Sequence, residues 1–257
     1  MEFRILGPLE AWDGGRELSL GGRKPRALLT ALLLRANEVV SADRLIDELW
    51  GDESAERASG ALRVNVSRLR KALPHDVLMT RAPGYFVRVE PGQLDLHRFE
   101  QLVDEARGAR TRGQAAQAST ALRDALSLWR GPPLPDVAYE SFAQAPIARL
   151  EEIRLGALEL RIDADLALGR HDELVGELEA LVAEHPLRER LRLGLMTALY
   201  RAGRQAEALE AYQDARRALV DGLGIDPSPA LRELEAAILR QDPSLELTRQ
   251  AGAGSRC

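Results

Sequence analysis

The chain has 257 residues, of which 29% are charged and 45% apolar, and its formal net charge is -5. This composition is typical of globular proteins, and the length predicts about two domains. The first residues lack the features of a secretory signal and no later stretch resembles a membrane span, so we expect a cytoplasmic protein. The only cysteine is Cys257, which excludes an internal disulfide bond and a cysteine-based metal site.

The charges are unevenly distributed along the chain. Residues 1–93 carry 14 basic and 13 acidic side chains, whereas residues 94–257 carry 21 and 27. The segment 57–75 has no acidic residue. Its basic side chains are those of Arg57, Arg63, Arg68, Arg70 and Lys71. Because contacts with phosphate require Lys and Arg, this segment can contact a polyanion although the whole chain is acidic.

Three short segments with alternating apolar residues open the chain and predict a small antiparallel sheet. These segments contain Phe3 and Ile5, Leu9 and Ala11, and Leu18 and Leu20. A buried helix is predicted from Pro25 to about Asn37, because the run ALLTALLLRAN is apolar on most faces. Ser41 is a candidate N-cap for a second, amphipathic helix that ends at Gly51.

A third helix is predicted in residues 58–73, where the apolar side chains fall on one stripe. The stripe consists of Leu62, Val66, Leu69 and Leu73. The β-prone runs on either side of Ala82-Pro83-Gly84 predict a hairpin. A sheet, three helices and a terminal hairpin are the parts of a winged helix-turn-helix, which we assign to residues 1–93.

The rest of the chain predicts an all-helical domain in residues 94–247 and a flexible tail in residues 248–257. Helical patterns cover residues 97–129, 143–168, 171–184, 187–201, 204–221 and 228–240, and RGPPLPDV (130–137) is a Pro-rich loop. Gly169 and Gly203 lie at the same point of two similar segments, 34 residues apart. This period is typical of tetratricopeptide repeats, although two such units also fit a generic helical hairpin.

The third helix presents a candidate DNA-binding face opposite its apolar stripe. The side chains on this face and its flanks are Arg63, Val64, Asn65, Ser67, Arg68, Arg70 and Lys71. Arg can bind guanine and Asn can bind adenine in the major groove, while Ser and Lys can contact bases or phosphates. A solvated polar face is the alternative interpretation of the same pattern.

Two further places are candidates for DNA contact. In the hairpin, Arg81 can lie in the minor groove or on phosphate, and Tyr85 either contacts DNA or packs in the core. At the start of the first long helix, Lys24 lies with Arg23 and Arg26, where free N–H groups and positive charge suit a phosphate. A solvated helix start is the alternative there.

The order of these motifs resembles a known family. RKPRALLTALLLRAN, SADRLIDELWG, ALRVNVSRLRKAL and TRAPGYFV resemble the N-terminal domain of Streptomyces antibiotic regulatory proteins, a winged helix similar to that of OmpR-type response regulators. DLHRFEQLVDEAR, WRGPPLPDV and the segment from GRHDELVGELEAL to LGIDPSPALRELEAAIL look like the family's bacterial transcriptional activator domain. The resemblance covers residues 1 to about 241 and implies a mainly helical, two-domain protein with a small β component.

The resemblance implies a transcription activator, commonly of a secondary-metabolite (antibiotic) gene cluster. Such a protein binds direct repeats near the −35 promoter element as a homodimer and recruits RNA polymerase holoenzyme through a sigma factor or another subunit. The resemblance places Arg81 on the wing and six residues on the recognition helix, namely Arg63, Asn65, Ser67, Arg68, Arg70 and Lys71. Val64 departs from the pattern, because a polar residue is usual at that outward position; it can contact a thymine methyl group, so the departure concerns the target sequence.

Other function classes fit the sequence less well. The chain has no GxxxxGK[ST] run, so we expect no ATP site or other cofactor, and we expect no receiver-type acidic pocket before the winged helix. The four histidines are dispersed and form no metal-binding pair, so we expect neither a metal nor an enzyme. A helical scaffold for protein partners, with a winged helix that binds DNA without sequence preference, and a regulator that senses a small molecule remain as alternatives.

Overall fold

The structure is a computed structural model, which describes residues 1–51 and 54–246. The tail predicted for residues 248–257 lies outside the described residues. The N-terminal elements are β1 (Glu2–Arg4), β2 (Glu10–Asp13), β3 (Arg16–Glu17), α1 (Arg23–Leu33), β4 (Val39–Ser41), α2 (Ala42–Trp50), α3 (Ala55–Ala72), β5 (Leu78–Arg81) and β6 (Gly84–Val87). The predicted winged-helix order is confirmed, and β4 is a strand that the sequence did not predict.

The first sheet has the order β1-β2-β3 and is antiparallel. Phe3 pairs with Ala11, and both side chains are fully buried, as the alternation of apolar residues predicts. On its other side, Phe3 forms an isolated parallel bridge with Leu94, and its N–H donates to the carbonyl oxygen of Gln93 over 2.6 Å. The sheet is therefore extended by residues that follow the wing in sequence.

The three helices form where the sequence places apolar stripes and caps. In α1 the side chains from Ala27 to Leu33 are all buried, because this run is apolar on most faces. Ser41 caps α2 by accepting a hydrogen bond from the N–H of Arg44 over 3.3 Å, and Gly51 ends it with a positive φ of 53°. Both predicted ends of α2 are thus confirmed.

The second sheet forms the wing and has the order β4-β6-β5. Tyr85 on the middle strand pairs with Val40 on one side and with Thr80 on the other. Gly84 lies against β4 so closely that a Cβ atom there would be 1.9 Å from the carbonyl oxygen of Val40. The sequence places Gly84 in a turn, but the structure requires a glycine there so that β6 can approach β4.

The C-terminal elements are helical. They are α4 (Asp95–Thr111), α5 (Ala115–Ser127), α6 (Gln144–Ala167), α7 (His171–Glu184), α8 (Glu189–Arg201), α9 (Gln205–Leu223) and α10 (Pro229–Leu239), with short 3-10 helices at Pro135–Val137, Ser141–Ala143 and Pro243–Leu245. The helical pattern predicted for residues 97–129 forms two helices, because the chain turns at Gly113 with a φ of 72°. The other helical segments are confirmed to within a few residues.

The described residues form two compact units, one drawn from residues 1–105 and 123–157 and the other from residues 106–122 and from residue 158 onward. The division falls within α4, α5 and α6 and not in a linker. The winged helix therefore shares its unit with residues that follow it in sequence. A domain that folds alone and ends at residue 93 remains a prediction.

The first unit is held together by polar contacts between its N-terminal sheet and the loop after α5. The N–H of Arg130 donates to the carbonyl oxygen of Leu6 over 2.8 Å. The carboxylate of Asp136 accepts from the N–H of Leu9 over 2.6 Å and from Nε of Arg26 over 3.0 Å. The Pro-rich loop thus completes hydrogen bonds that the winged helix itself leaves open.

Asp95 makes a similar contact at the start of α4. Its buried carboxylate accepts the N–H groups of Ile5 and Leu6 over 2.8–2.9 Å, and Nη2 of Arg130 lies 3.7 Å away. Burial raises the pKa of the Asp95 carboxyl above its ordinary value of 3.8, although the N–H donors and Arg130 act in the opposite direction. Asp95 therefore connects the end of β1 to the start of α4, although burial disfavours its ionised form.

This raised pKa predicts a pH dependence of stability. The folded state holds the proton of Asp95 more tightly than the unfolded state. The contribution of Asp95 to the free energy of unfolding is therefore largest below pH 3.8 and falls as the pH rises through the raised pKa. The variant Asp95→Asn has no ionisable group at this position and serves as the reference. The free energy of unfolding of the wild type minus that of the variant should fall as the pH rises from about 4 to 7, measured by urea titration. A difference that rises over this range would contradict the assignment.

In the second unit, helix ends repeat the same glycine cap. Gly169 and Gly203 both have positive φ, 81° and 76°. The residue after each glycine donates its N–H to a carbonyl five residues earlier, Arg170 to Asp165 over 3.0 Å and Arg204 to Leu199 over 2.9 Å. This is the Schellman motif. The 34-residue spacing seen in the sequence is thus a repeated helical hairpin, in agreement with the tetratricopeptide-like interpretation.

A buried carboxylate joins three helical segments of the second unit. Asp165 is fully buried and accepts hydrogen bonds from Oγ of Ser119 over 2.6 Å, Nη1 of Arg161 over 2.9 Å and Nη1 of Arg170 over 2.8 Å. A buried charge is tolerated only when it is paired and hydrogen-bonded, and Asp165 meets both conditions. We therefore assign this cluster a structural role.

Candidate nucleic-acid interface

The outward face of α3 carries basic and small side chains. The exposed residues predicted to contact DNA are Arg63, Val64, Ser67, Arg68, Arg70 and Lys71. Val64 is 49% exposed, so the apolar residue noted in the sequence does lie on this surface. Nε of Arg63 donates to the carbonyl oxygen of Ser59 over 3.3 Å, a weak contact at the surface.

The positive charge of this face is not neutralised by the residues around it. Within residues 1–51 and 54–246, no acidic side chain forms an ion pair with the basic residues of α3. By contrast, Arg35 and Arg44 on neighbouring elements both pair with Glu48. A helix with uncompensated arginines and small neighbours can enter a major groove and approach phosphates.

Asn65 does not lie on the exposed face where the sequence places it. It is only 6% exposed, and its Nδ2 donates to the carbonyl oxygen of Ala61 over 2.8 Å. The buried stripe of α3 includes Ala58 and Asn65 as well as the four predicted residues, because a helix that packs on a core buries a wide stripe. The predicted exposure of Asn65 was wrong, and in this conformation its amide is turned away from solvent.

Arg70 is exposed, but its guanidinium is bonded to the wing. Nε donates to the carbonyl oxygen of Leu78 over 3.1 Å, and Nη2 donates to Oγ1 of Thr80 over 2.7 Å. Both acceptors lie on β5. The sequence gives no indication of this contact, because it depends on where the strand returns beside the helix.

The wing presents one arginine beside its turn. Arg81 is exposed, and its guanidinium carbon lies 4.2 Å from the centre of the Phe86 ring. This cation–π contact supports the side chain on the sheet without using its N–H groups in ion pairs. Tyr85 is partly exposed on the middle strand, so the structure is compatible with both roles considered for it.

Lys24 has partners within the protein. Its Nζ donates to the carbonyl oxygen of Leu49 over 2.5 Å and lies 3.7 Å from Oε1 of Glu140 and 5.8 Å from the Trp50 ring centre. A cation at the end of α2 suits the negative end of the helix dipole. The geometry favours a structural role for Lys24, and a phosphate contact there remains a prediction.

The neighbouring cations are engaged as well. Arg23 pairs with Glu140 over 3.1 Å, and Arg26 pairs with Asp136 over 2.8 Å and donates to the carbonyl oxygen of Leu9. The basic cluster at the start of α1 is thus largely neutralised by the loop after α5. The sequence could not show this, since the acidic residues lie more than a hundred positions away.

Two family models match the chain. The bacterial transcriptional activator domain matches residues 94–239, and the C-terminal domain of transcriptional regulatory proteins matches residues 15–87. The chain is 41% identical to the regulatory protein DnrI of Streptomyces peucetius, over 96% of this chain and 94% of that protein. The chain belongs to the Streptomyces antibiotic regulatory protein (SARP) family.

Other SARP-type relatives are longer than this chain. Regulatory protein AfsR of Streptomyces coelicolor is 50% identical over 95% of this chain, which spans only 25% of AfsR. In solved structures, Mycobacterium tuberculosis EmbR in complex with a low affinity phosphopeptide matches with a TM-score of 0.91 and 38% identity, over 94% of this chain and 65% of that one. The fold predicted from the sequence is thus confirmed.

The SARP family consists of transcriptional regulators. Among the described residues, no helix is both long and apolar enough to cross a bilayer. In the same part of the chain, no group of three or more His, Cys, Asp or Glu side chains could hold a metal ion.

Proposed function

We propose that this regulator binds promoter DNA with sequence preference and activates transcription. The observation that carries the proposal is the outward face of α3, whose arginines have no acidic partner among the described residues and lie beside a wing that carries Arg81. In this proposal α3 enters the major groove, where Arg63 and Arg68 contact base edges and Ser67 and Lys71 contact bases or phosphates. Arg81 lies in the minor groove or on phosphate.

We further propose that two protomers bind tandem direct repeats near the −35 element and help RNA polymerase holoenzyme to engage. For two protomers to lie on the same side of DNA, the repeats must be spaced by about 10–11 base pairs, one helical turn. The relatives DnrI and AfsR are both named regulatory proteins, which supports a regulatory role. We propose that the target of this protein is a biosynthetic gene cluster. The helical residues would supply the contacts between protomers or with polymerase.

A DNA titration tests the proposal directly. The purified protein is titrated by fluorescence anisotropy against fragments upstream of its neighbouring genes, with competitor DNA and at two salt concentrations. We expect binding to a repeat-containing fragment that is about a thousandfold tighter than binding to unrelated DNA. Weak, salt-sensitive binding without sequence preference would instead favour the protein-interaction scaffold.

Substitution of one arginine on α3 gives a sharper prediction. Arg63→Ala should weaken binding to the specific fragment by about 1–3 kcal/mol and relax the preference at one base pair, because a bidentate base contact is lost. Arg217→Ala removes the same charge from an exposed position on α9 and serves as the control. Equal affinities of the Arg63 variant and the wild type would remove Arg63 from the interface.

A cavity in the first unit favours one second candidate, a regulator that senses a small molecule. The cavity has a volume of about 410 Å³, and its apolar wall includes Leu96, Leu150 and Ile153, with Arg35 and Arg149 among the polar lining residues. The probe is anilinonaphthalene sulfonate, an apolar anion that should gain fluorescence with the wild type and not with Ile153→Trp. No gain with the wild type would remove this candidate.

A further inference from the structure

The side chain of Arg70 connects α3, the proposed recognition helix, to the wing. Its Nε and Nη2 donate to the carbonyl oxygen of Leu78 and to Oγ1 of Thr80, over 3.1 and 2.7 Å. We call these two bonds the Arg70 link. Hydrogen bonds from a charged donor are among the stronger ones in proteins, and two on one planar group also fix its orientation.

The Arg70 link occupies one of the two guanidinium edges that can bind a base through a pair of N–H groups. Arg binds guanine through two parallel N–H groups, and the Nε–Nη2 edge supplies such a pair. Both of these nitrogens are engaged by β5, and only Nη1 has no hydrogen-bond partner among the described residues. While the link is formed, Arg70 cannot bind guanine through this edge.

The strand that receives the link has one open edge. β5 is an edge strand of the wing sheet, so one row of its backbone groups has no strand partner. A cleft of about 400 Å³ is lined by residues at the end of α3 and along β5. These residues are Arg70, His75, Leu78, Met79, Thr80 and Arg81. Leu78 is buried, whereas Thr80 and Arg81 are exposed, so the Arg70 link acts on the end of β5 that core packing does not hold.

We propose that Arg70 is a positioning residue, which sets the wing relative to the recognition helix and thereby places Arg81 on DNA. This inference rests on the proposed function and assigns within it a role to Arg70 other than base contact. Arg81 follows Thr80 directly, so a displacement of Thr80 moves the only arginine of β5. Substitution of Arg70 should therefore lower the affinity for DNA mainly because it displaces Arg81.

A double-mutant cycle on the full chain tests this path. The affinities of the wild type, Arg70→Ala, Arg81→Ala and the double variant are measured on one specific fragment. If Arg70 acts through the wing, the factor lost on Arg81→Ala should be at least about threefold smaller in the Arg70→Ala background than in the wild type. Equal factors in both backgrounds would overturn the proposal.

Two conservative variants test whether the hydrogen bonds of the Arg70 link, and not the positive charge of Arg70 alone, account for its effect on affinity. Thr80→Val removes the hydroxyl acceptor with little change of shape, and Arg70→Lys keeps the charge without the planar pair of donors. Both should lower specific affinity, and both should speed amide hydrogen exchange in β5 and β6 of the free protein. Full affinity and unchanged exchange in both variants would overturn the proposal.

The outcomes distinguish this inference from the proposed function. If the wild type binds DNA without sequence preference, the proposed function is wrong, and the positioning role of Arg70 is overturned with it. If the wild type is specific but the loss in Arg70→Ala is confined to one base pair of the site, Arg70 contacts that base. That result would overturn the positioning role while leaving the proposed function intact.

Discussion

Gly84→Ala should disrupt the wing and abolish specific DNA binding. The Cβ atom of alanine would lie 1.9 Å from the carbonyl oxygen of Val40 and 2.7 Å from Cα of Ser41. Both are backbone atoms, so no side-chain rotation relieves the overlap, and β4 and β6 must separate. We expect a loss of at least about 3 kcal/mol in the free energy of unfolding, measured by urea titration.

Gly60→Ala is the matched control for this substitution. Gly60 lies in α3, and apart from its own helix backbone and chain neighbours, a Cβ atom built there meets no atom within 4 Å. Alanine should stabilise the helix by about 0.5–1 kcal/mol, because it lowers the backbone entropy of the unfolded chain. If Gly84→Ala unfolded at the same urea concentration as the wild type, the close approach of β4 and β6 would be wrong.

A fragment that ends at residue 93 should be far less stable than one that ends at residue 157. The shorter fragment lacks Asp95 and Asp136, so the N–H groups of Ile5, Leu6 and Leu9 lose their acceptors. Each buried donor without a partner costs about 1–3 kcal/mol, and the sum is comparable to the whole stability of a small domain, about 5–15 kcal/mol.

Circular dichroism melting of the two fragments measures this difference. We expect the longer fragment to melt cooperatively and the shorter one to show a broad transition at much lower temperature. A full chain that carries Asp95→Ala and Asp136→Ala tests whether these two carboxylates are the cause, and its stability should fall as well. Equal, cooperative melting of both fragments would establish residues 1–93 as an independent domain.

The helices could be predicted from the sequence because their stripes and caps are local. Ser41 and Gly51 bound α2 at the predicted ends, and the glycines 34 residues apart marked real helix ends. The strand β4 could not be predicted, since it has three residues and is defined by its partner β6. The turn at Gly113 was missed because helical periodicity continues on both sides of it.

The candidate site was predicted less completely than the fold. A helical wheel shows which side of α3 is basic, but the width of the buried stripe depends on the neighbours of the helix, and Asn65 lies inside it. The partners of Arg70 and Lys24 lie on other elements, so their side chains could be placed on the surface but not assigned to contacts. Sequence spacing gives the face of a helix, and tertiary contacts decide which of its groups remain available.

The dependence of the N-terminal sheet on Asp136 also affects the order of events during synthesis. Ribosomes add roughly 5–20 residues per second, so roughly 2–9 s pass between the synthesis of residue 93 and that of residue 136. During this interval the N–H of Leu9 and the guanidinium of Arg26 have not yet met the carboxylate that satisfies them. The nascent winged helix would thus remain incomplete, and open to chaperones, until the loop after α5 has left the ribosome.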